Sequence, residues 1–355
     1  MEKTNGIGVK DIAVFESDSL SPYENLAAEK YIMTHLRLGE LVLYLWRNGN
    51  TVVVGRNQNC WRECRVSDLL ADGGRLARRL SGGGAVYHDA GNLNFSFIAH
   101  DGDYDVSRQL GIIAAACRRF GINASLSGRN DLLADGLKFS GNAFFSFGGE
   151  NGRVNCHHGC ILIASDTEKI EKYLSVSKEK LRSKGIRSVR SRVINLSELS
   201  DGISAHTLAD AMIEELGLCF GAAPRRLSLS GGEEEIGKDA EFFASDEWLY
   251  GRKIDFTDSF GARFDWGEIE LCFEVSAGTV KECRVFSDCM DAGIARAIGS
   301  GMEGLPFSAD ALRSAVENSL SLLPRGTGLL GEAFARDDLA RTVADDVGRL
   351  LSENI

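Results

Sequence analysis

The sequence predicts an α+β protein with mixed, mostly antiparallel sheets. Three observations carry that prediction. Strand-like runs follow one another at short intervals, helix-period stretches are interspersed among them, and some strands alternate polar and apolar residues as a sheet does. The chain has 355 residues with 40 glycines and only 4 prolines, so glycine turns, not proline-rich linkers, punctuate it.

The first strand is read at Asp11 to Phe15. Ser21-Pro22 then gives a capping residue followed by proline at the first helical position, and Leu26, Ala27, Tyr31 and Met33 to Leu36 supply an apolar face. Residues 41–47 (LVLYLWR) and 51–56 (TVVVGR) read as strands, with Asn48-Gly49-Asn50 as a tight hairpin turn between them. Leu76 to Leu80 and Asn92 to Ala99 flank a glycine triplet as two more strands. In the second, Leu93, Phe95, Phe97 and Ala99 face one way and Asn92, Asn94, Ser96 and Ile98 the other, as expected for a sheet with one face on the core.

A helix is expected over 107–120, with Leu110, Ile113, Ala114 and Cys117 on one stripe, and a strand over Asn123 to Leu126. Residues 128–147 read as two strands joined by Ala134-Asp135-Gly136, and 157–164 as a short apolar strand. Helices follow at 167–185 and 206–218. Ser228 to Glu241 is glycine-rich and acidic without an apolar period, and reads as an exposed loop. Beyond Phe260 a smaller unit begins. It has a hairpin of 268–275 and 279–287 around Ser276-Ala277-Gly278, then helices near 290–300, 309–322 and 333–351.

Bulk properties exclude several classes. The net charge of −11 argues against binding nucleic acid or an acidic membrane through the overall field. No apolar run approaches the roughly 20 residues that span a bilayer, and the N-terminus lacks a signal pattern, so the expected location is the cytoplasm. Nine cysteines form no CxxC pairs. Cys60 and Cys64, and Cys156 and Cys160, are spaced four apart without a second pair, and read as reduced thiols packed as small hydrophobes.

Four islands of polar, glycine and charged residues interrupt the apolar strands: RRLSGGGAVYHD from Arg78, GRND from Gly128 with LKFSGNA from Leu137, His157-His158-Gly159, and SVRSRVINL from Ser188. Gly82, Gly83 and Gly84 allow close backbone approach to a ligand, and N–H groups in such a loop favour anions. Arg78 and Arg79 add forked donors suited to phosphate or carboxylate. The triplet is neither a Walker loop nor a dinucleotide fingerprint. Lys138, between Leu137 and Phe139, is either an edge gatekeeper or a charge turned into a pocket. An ammonium between a carboxylate and a phosphate would hold together two anions that repel. Asp131 is either a Mg²⁺ partner or half of a turn-forming Asn130-Asp131 pair. His88 either positions a phosphate or caps its strand, and Arg190 and Arg192 form either a solvated edge or a docking surface. Neighbouring His157 and His158 point to opposite faces of a strand, which argues against a shared zinc ion.

Taken in order, RRLSGGGAVYHDAGNLNFSF, GRNDLLADGLKFSGNAFF, HHGCILI and VRSRVINL resemble the lipoate–protein ligase A family. LYLWRNGNTVVVGRNQNCWREC and DWGEIELCFEVSAGTVKECRVFSD extend the resemblance over nearly the whole chain. It implies a large catalytic domain similar to biotin protein ligases and a small α/β C-terminal accessory domain, placed at 1–255 and 256–355. It implies ATP, Mg²⁺ and lipoate as ligands. In the reaction it implies, lipoyl-AMP forms first and the lipoyl group then passes to a lysine of lipoyl domains of 2-oxoacid dehydrogenase complexes or of the glycine-cleavage H protein. Carried over by motif, Arg79, Gly84, Ala85, Val86, Tyr87 and Lys138 are expected to contact ATP. Lys138, Ser81, Gly82, Gly83 and His88 are expected to contact lipoate. Leu26, Val53, Val86 and Phe95 are expected to line the slot for the acyl tail. Tyr87 stands where phenylalanine is common, and Cys160 where threonine is common. Related acyltransferases of the same fold work through a cysteine thioester without ATP, so a transferase using Cys156 or Cys160 is the alternative, and a noncatalytic lipoate-binding protein a second.

Overall fold

The structure, a computed structural model, describes residues 8–127, 131–149, 152–175, 192–251, 256–323 and 336–355. Gly128-Arg129-Asn130, Arg190, residues 176–185 of the expected helix and 333–335 lie outside the described residues. The chain divides into two compact units. One comprises Met1–Val53, Trp61–Arg78 and Ala85–Leu249; the other comprises Val54–Cys60, Arg79–Gly84 and Tyr250–Ile355.

The first unit is built on an eight-stranded mixed sheet in the order β11-β1-β2-β6-β10-β9-β8-β7. Its strands are β1 (Asp11–Glu16), β2 (Glu40–Trp46), β6 (Asn92–His100), β7 (Ala124–Ser127), β8 (Asp131–Ala134), β9 (Leu137–Gly149), β10 (Gly152–Leu162) and β11 (Arg225–Leu227). Only β11-β1-β2 run parallel, and the other neighbours are antiparallel. A three-stranded sheet, β4-β3-β5, combines β3 (Thr51–Val54), β4 (Arg75–Arg78) and β5 (Val86–His88).

Helix α1 (Pro22–Thr34) starts as its residues dictate, with the Ser21 side chain accepting from the Glu24 N–H and proline in the first turn. After it come α2 (Cys60–Glu63), α3 (Val66–Ala71), α4 (Val106–Arg118), α5 (Thr167–Tyr173), α6 (Ala205–Phe220), α7 (Glu233–Ala244) and α8 (Asp246–Tyr250). One large apolar cluster joins Leu93, Phe95 and Phe97 of β6 to Ile113 of α4 and Met212 of α6. The β8–β9 hairpin turns through Asp135 and Gly136, both at positive φ (49° and 78°), as a two-residue turn requires.

Three expectations are corrected. Residues 41–47 and 51–56 do not form a hairpin: β1 and β6 occupy both edges of β2, while β3 pairs with β5 in the other sheet. β6 is buried on both faces, because its polar side packs toward α1, where Ser96 Oγ donates to Glu29 Oε1 at 2.5 Å. Residues 233–241 are helical, not a loop. Glu233, Glu234 and Glu235 sit in the first turn of α7, where the helix dipole favours negative charge. Phe243 is its one buried residue, and Lys30 of α1 pairs with Asp239 at 2.5 Å. A single buried position gives no apolar period to read.

The second unit carries β12 (Asp258–Phe264), β13 (Gly267–Ser276) and β14 (Thr279–Ser287), followed by α9 (Ala292–Met302), α10 (Ala309–Ser321) and α11 (Arg336–Asn354). The expected β13–β14 hairpin turns through Ala277 and Gly278, again both at positive φ. β12 adds a third strand beside β13 that the sequence reading omitted. Leu271, Phe273, Ile298, Val316 and Val347 share its core.

Gly159 tests the packing of the main sheet. A Cβ there would lie 2.7 Å from Gly141 O and Phe95 Cζ and 2.9 Å from Asn142 Oδ1, whereas one at Gly148 meets nothing within 4 Å. Gly159→Ala is expected to destabilise the protein by about 1–3 kcal/mol. Gly148→Ala should leave the denaturation midpoint nearly unchanged.

Candidate active site

β9 carries one residue more than its partner β8. The register runs Leu133↔Lys138 and then Leu132↔Ser140, so the strand bulges at Phe139. The excess residue resets the alternation. Phe139 and Leu132 both lie in the apolar cluster beneath α4 and α6, and Ser140 lies opposite Leu132. Lys138 is thereby turned to the other face, the face of Gly141. A Cβ on Gly141 would lie 2.9 Å from Lys138 Nζ and 3.1 Å from its Cε. The ammonium therefore rests over the gap left by a missing side chain. Asp131 Oδ1 holds it at 2.7 Å, with the two side chains 32% and 21% exposed. β9 lies between β8 and β10 in the sheet, so Lys138 is not an edge-strand gatekeeper. Asp131 offers an oxygen donor of the kind that magnesium takes, one or two carboxylates to a nucleotide-bound ion.

Strand register places five residues in a row across this face: Asp131, Gly141, Cys160, Asn94 and Trp46. Directly paired residues share a face, so all five stand on the side of Lys138 Nζ. Beyond Trp46 lies His88, its ring 6.2 Å from the indole and its Nδ1 3.2 Å from Asn48 Nδ2. Lys138 and His88 are thus both on this side of the sheet. The expected slot residue Phe95 is not: it packs against His157 on the opposite face, because odd-numbered β6 residues face α4.

The polar side of β6 holds a network the sequence reading missed. Trp46 Nε1 donates to Ser96 Oγ at 3.2 Å, and Glu29 Oε1 accepts from Ser96 Oγ and lies 2.8 Å from His158 Nδ1. Glu29, Cys156 and His158 place their ligand atoms within 4.8 Å of one another. Burial first, then Glu29, pushes the Cys156 thiol well above its ordinary pKa. Glu29 did leave a trace in the sequence, since it occupies the buried stripe of α1 with Leu26, Ile32 and Met33. As adjacent strand residues must, His157 and His158 point apart. His157 Nδ1 lies 2.8 Å from Gln109 Oε1 and Nε2 lies 2.9 Å from Asn142 Oδ1.

Val86 and Tyr87 lie on β5, which pairs through Val53↔Val86 and Val52↔Tyr87. Tyr87 is buried 5.7 Å from the Tyr173 ring, and burial followed by Asp89 raises its phenol pKa. Arg78 is engaged structurally, donating from Nε to Trp248 O at 2.9 Å and from Nη2 to Leu249 O at 2.6 Å.

Arg79–Gly84 belong to the second unit. There Arg79 donates from Nε to Ser81 Oγ at 2.9 Å, and from Nη2 to Gly82 O at 2.6 Å and Gly84 O at 2.8 Å. The guanidinium gathers the loop's carbonyls inward, which turns the following amide N–H groups the opposite way. Gly83, at φ +85°, donates its N–H to Cys289 O at 3.2 Å. A Cβ on Gly82 would meet Cys289 O at 2.3 Å and Met290 O at 2.6 Å, so the close approach that glycine permits here is to backbone.

No helix among the described residues is long and apolar enough to cross a membrane. Residues 21–217 match the model of the lipoyl protein ligase A/B catalytic domain, and 253–322 that of the bacterial lipoate protein ligase C-terminus. Among solved structures, P. falciparum LipL1 in complex with lipoate is 27% identical, with a TM-score of 0.79 over 95% of this chain and 99% of that one. The bi-partite lipoate protein ligase of Thermoplasma acidophilum, described with its E2 lipoyl domain, is 25% identical (TM-score 0.60, 70% of this chain and 99% of that one). A lipoate-protein ligase A bound with ATP shares the fold at 22% identity (TM-score 0.58, 68% and 98%).

Burial, and secondarily His158, hold His157 neutral with a pKa lowered to about 3. The unfolded ring titrates near 6.5, so the unfolded state takes up a proton first. Stability from this residue is present above about pH 6.5 and lost on acidification toward pH 3, at up to about 1.4 kcal/mol per pH unit. Denaturant titrations of wild type and His157→Gln between pH 7 and pH 4 should differ in slope by about one proton. Parallel slopes would mean that His157 is not held neutral.

Proposed function

The chain belongs to the lipoate–protein ligase family, with both the catalytic domain and the bacterial C-terminal region, and from that premise we propose that it activates lipoate with ATP and transfers it to protein lysines. The observation that carries this reading is the Lys138 ammonium, held over Gly141 by Asp131. A lipoate carboxylate oxygen attacks the α-phosphorus of ATP, a P–O bond forms, and pyrophosphate leaves. Two anions must approach for this step, and a fixed cation between them removes the repulsion that opposes it. Lys138 is the residue we assign to both anions. Asp131 holds the amine in position before they arrive and is the carboxylate that would hold Mg²⁺, whose charge neutralises phosphate oxygens when bound. Arg79, Gly84, Ala85, Val86 and Tyr87 are assigned to ATP, and Ser81, Gly82, Gly83 and His88, like Lys138, to lipoate.

In the second step a neutral acceptor lysine attacks the acyl carbonyl and AMP departs. The anhydride is already activated, so no protein nucleophile is required. A raised thiol pKa makes Cys156 a poor thiolate. The assigned acceptors are lipoyl domains of 2-oxoacid dehydrogenase complexes and the glycine-cleavage H protein, and the assigned location is the cytoplasm. Similarity to a ligase described with its E2 lipoyl domain supports lipoyl domains as acceptors, and the fold shared with a ligase bound with ATP supports the nucleotide. Residues 1–255 are proposed as the catalytic domain and 256–355 as the accessory domain.

Pyrophosphate release with lipoate and ATP tests the reading. Lys138→Ala should lower it by about 10²–10³-fold with the melting temperature kept, by loss of a preorganised charge. In Gly141→Ala the new methyl displaces only the flexible end of Lys138, so the fold survives while the rate falls roughly 10- to 100-fold. Cys160→Ser should retain activity. Full activity of Lys138→Ala, or lipoyl transfer that needs Cys160 and releases no pyrophosphate, would overturn the proposal.

A further inference from the structure

Asn94 stands in the row that begins at Lys138 and Asp131, separated from Gly141 by Cys160 alone. Its side chain is fully buried (0% exposed). Asn92 Nδ2 donates to Asn94 Oδ1 at 3.0 Å, which fixes the amide and leaves its NH₂ group directed elsewhere. Among the described residues nothing accepts from Asn94 Nδ2. A buried donor without an acceptor is costly, and where one persists in a binding face it points to a ligand atom.

We propose that Asn94 is a specificity-determining residue that donates from Nδ2 to a dithiolane sulfur of the acyl acid and so favours lipoate over octanoate. The inference rests on the reading that the acid binds with its carboxylate at Lys138. Neighbouring strands lie about 4.8 Å apart, so Asn94 is roughly 10 Å from Gly141, comparable to the length of an extended eight-carbon acid. An acid lying along the row places its far end at Asn94, with Trp46 next. The two acids differ at that end. Lipoate carries ring sulfurs, weak acceptors for an N–H, whereas octanoate carries only C–H groups and leaves the amide desolvated and unpaired. Chain length alone gives a pocket little to discriminate by, but a polar group that one ligand satisfies and the other does not is discriminating.

The test is the ratio of kcat/KM for lipoate to that for octanoate, from acid-dependent pyrophosphate release, in wild type and in Asn94→Leu. Because both acids are measured on one preparation, the ratio is independent of the fraction folded. It should fall about fivefold, the factor one neutral hydrogen bond supplies, chiefly through loss on lipoate. A common fall for both acids with an unchanged ratio would make Asn94 structural and overturn the inference. If the leucine variant cannot be purified, Asn94→Ala carries the same expectation. A wild-type enzyme that activates neither acid would defeat the underlying reading, a failure visible without any variant.

Discussion

One surplus residue in β9 decides where the charge at this site can be. In an unbroken strand, Lys138 would share a face with Ser140 and point beneath α4, into the cluster that holds Phe139 and Leu132. A lone ammonium there would be prohibitively costly. The bulge turns it to the face of Gly141, whose missing side chain supplies the space, and Asp131, opposite Gly141, supplies the counter-charge. A pair this exposed is worth little in stability, about 0–1 kcal/mol. Its value is positional, because lysine is a point charge on a flexible stem and needs something to hold it.

The rest of the sheet divides its two faces by chemistry. The α4–α6 side is mainly apolar, and the polar groups it buries include Ser140 and His157, whose ring nitrogens both meet side-chain amides of Gln109 and Asn142. A neutral ring can serve both amides only if one presents its NH₂ group, and Gln109 Nε2 is a buried donor lacking another partner among the described residues. The opposite side buries Glu29, Ser96, His158, Asn92 and Asn94. Such a band contributes little net stability, but removing one partner strands another, at about 3–5 kcal/mol for a buried charge. An apolar face would pack more cheaply. In the proposed binding mode, recognition of polar ligand atoms is what offsets that cost.

Much of this was legible in the residues, and what was not has identifiable causes. Capping at Ser21-Pro22 and the Asp135-Gly136 and Ala277-Gly278 turns are local chemistry, and the structure follows them. Asn48-Gly49-Asn50 is a genuine turn signal, but pairing is decided by what else competes for each edge, and β6 takes the edge of β2 that a hairpin needs. Helix α7 hides because it buries only Phe243. At the site, Lys138, Asp131 and Gly141 all lie in one singled-out island. Their alignment depends on a bulge, which shifts parity without any residue that announces it. Glu29 was passed over because it sits where an ordinary core residue of α1 would, and Asn94 because its face of β6 reads as the one turned away from the core.

The row itself has a graded relief. Gly141 has no side chain, Cys160 a small one, Asn94 a medium one and Trp46 the largest, in that order away from Lys138. A floor of this kind is lowest where the charged end of a ligand would lie and rises toward the end that must be closed. The same gradient assigns a role to Cys160 that does not require its reactivity. A thiol is compact and apolar enough to pass an alkyl chain, and threonine, common at this position in the resembling family, is similarly small. With the charge at one end and a buried amide donor near the other, the proposed binding mode would hold a long acid by both ends and leave the chemistry to the end where the cation is.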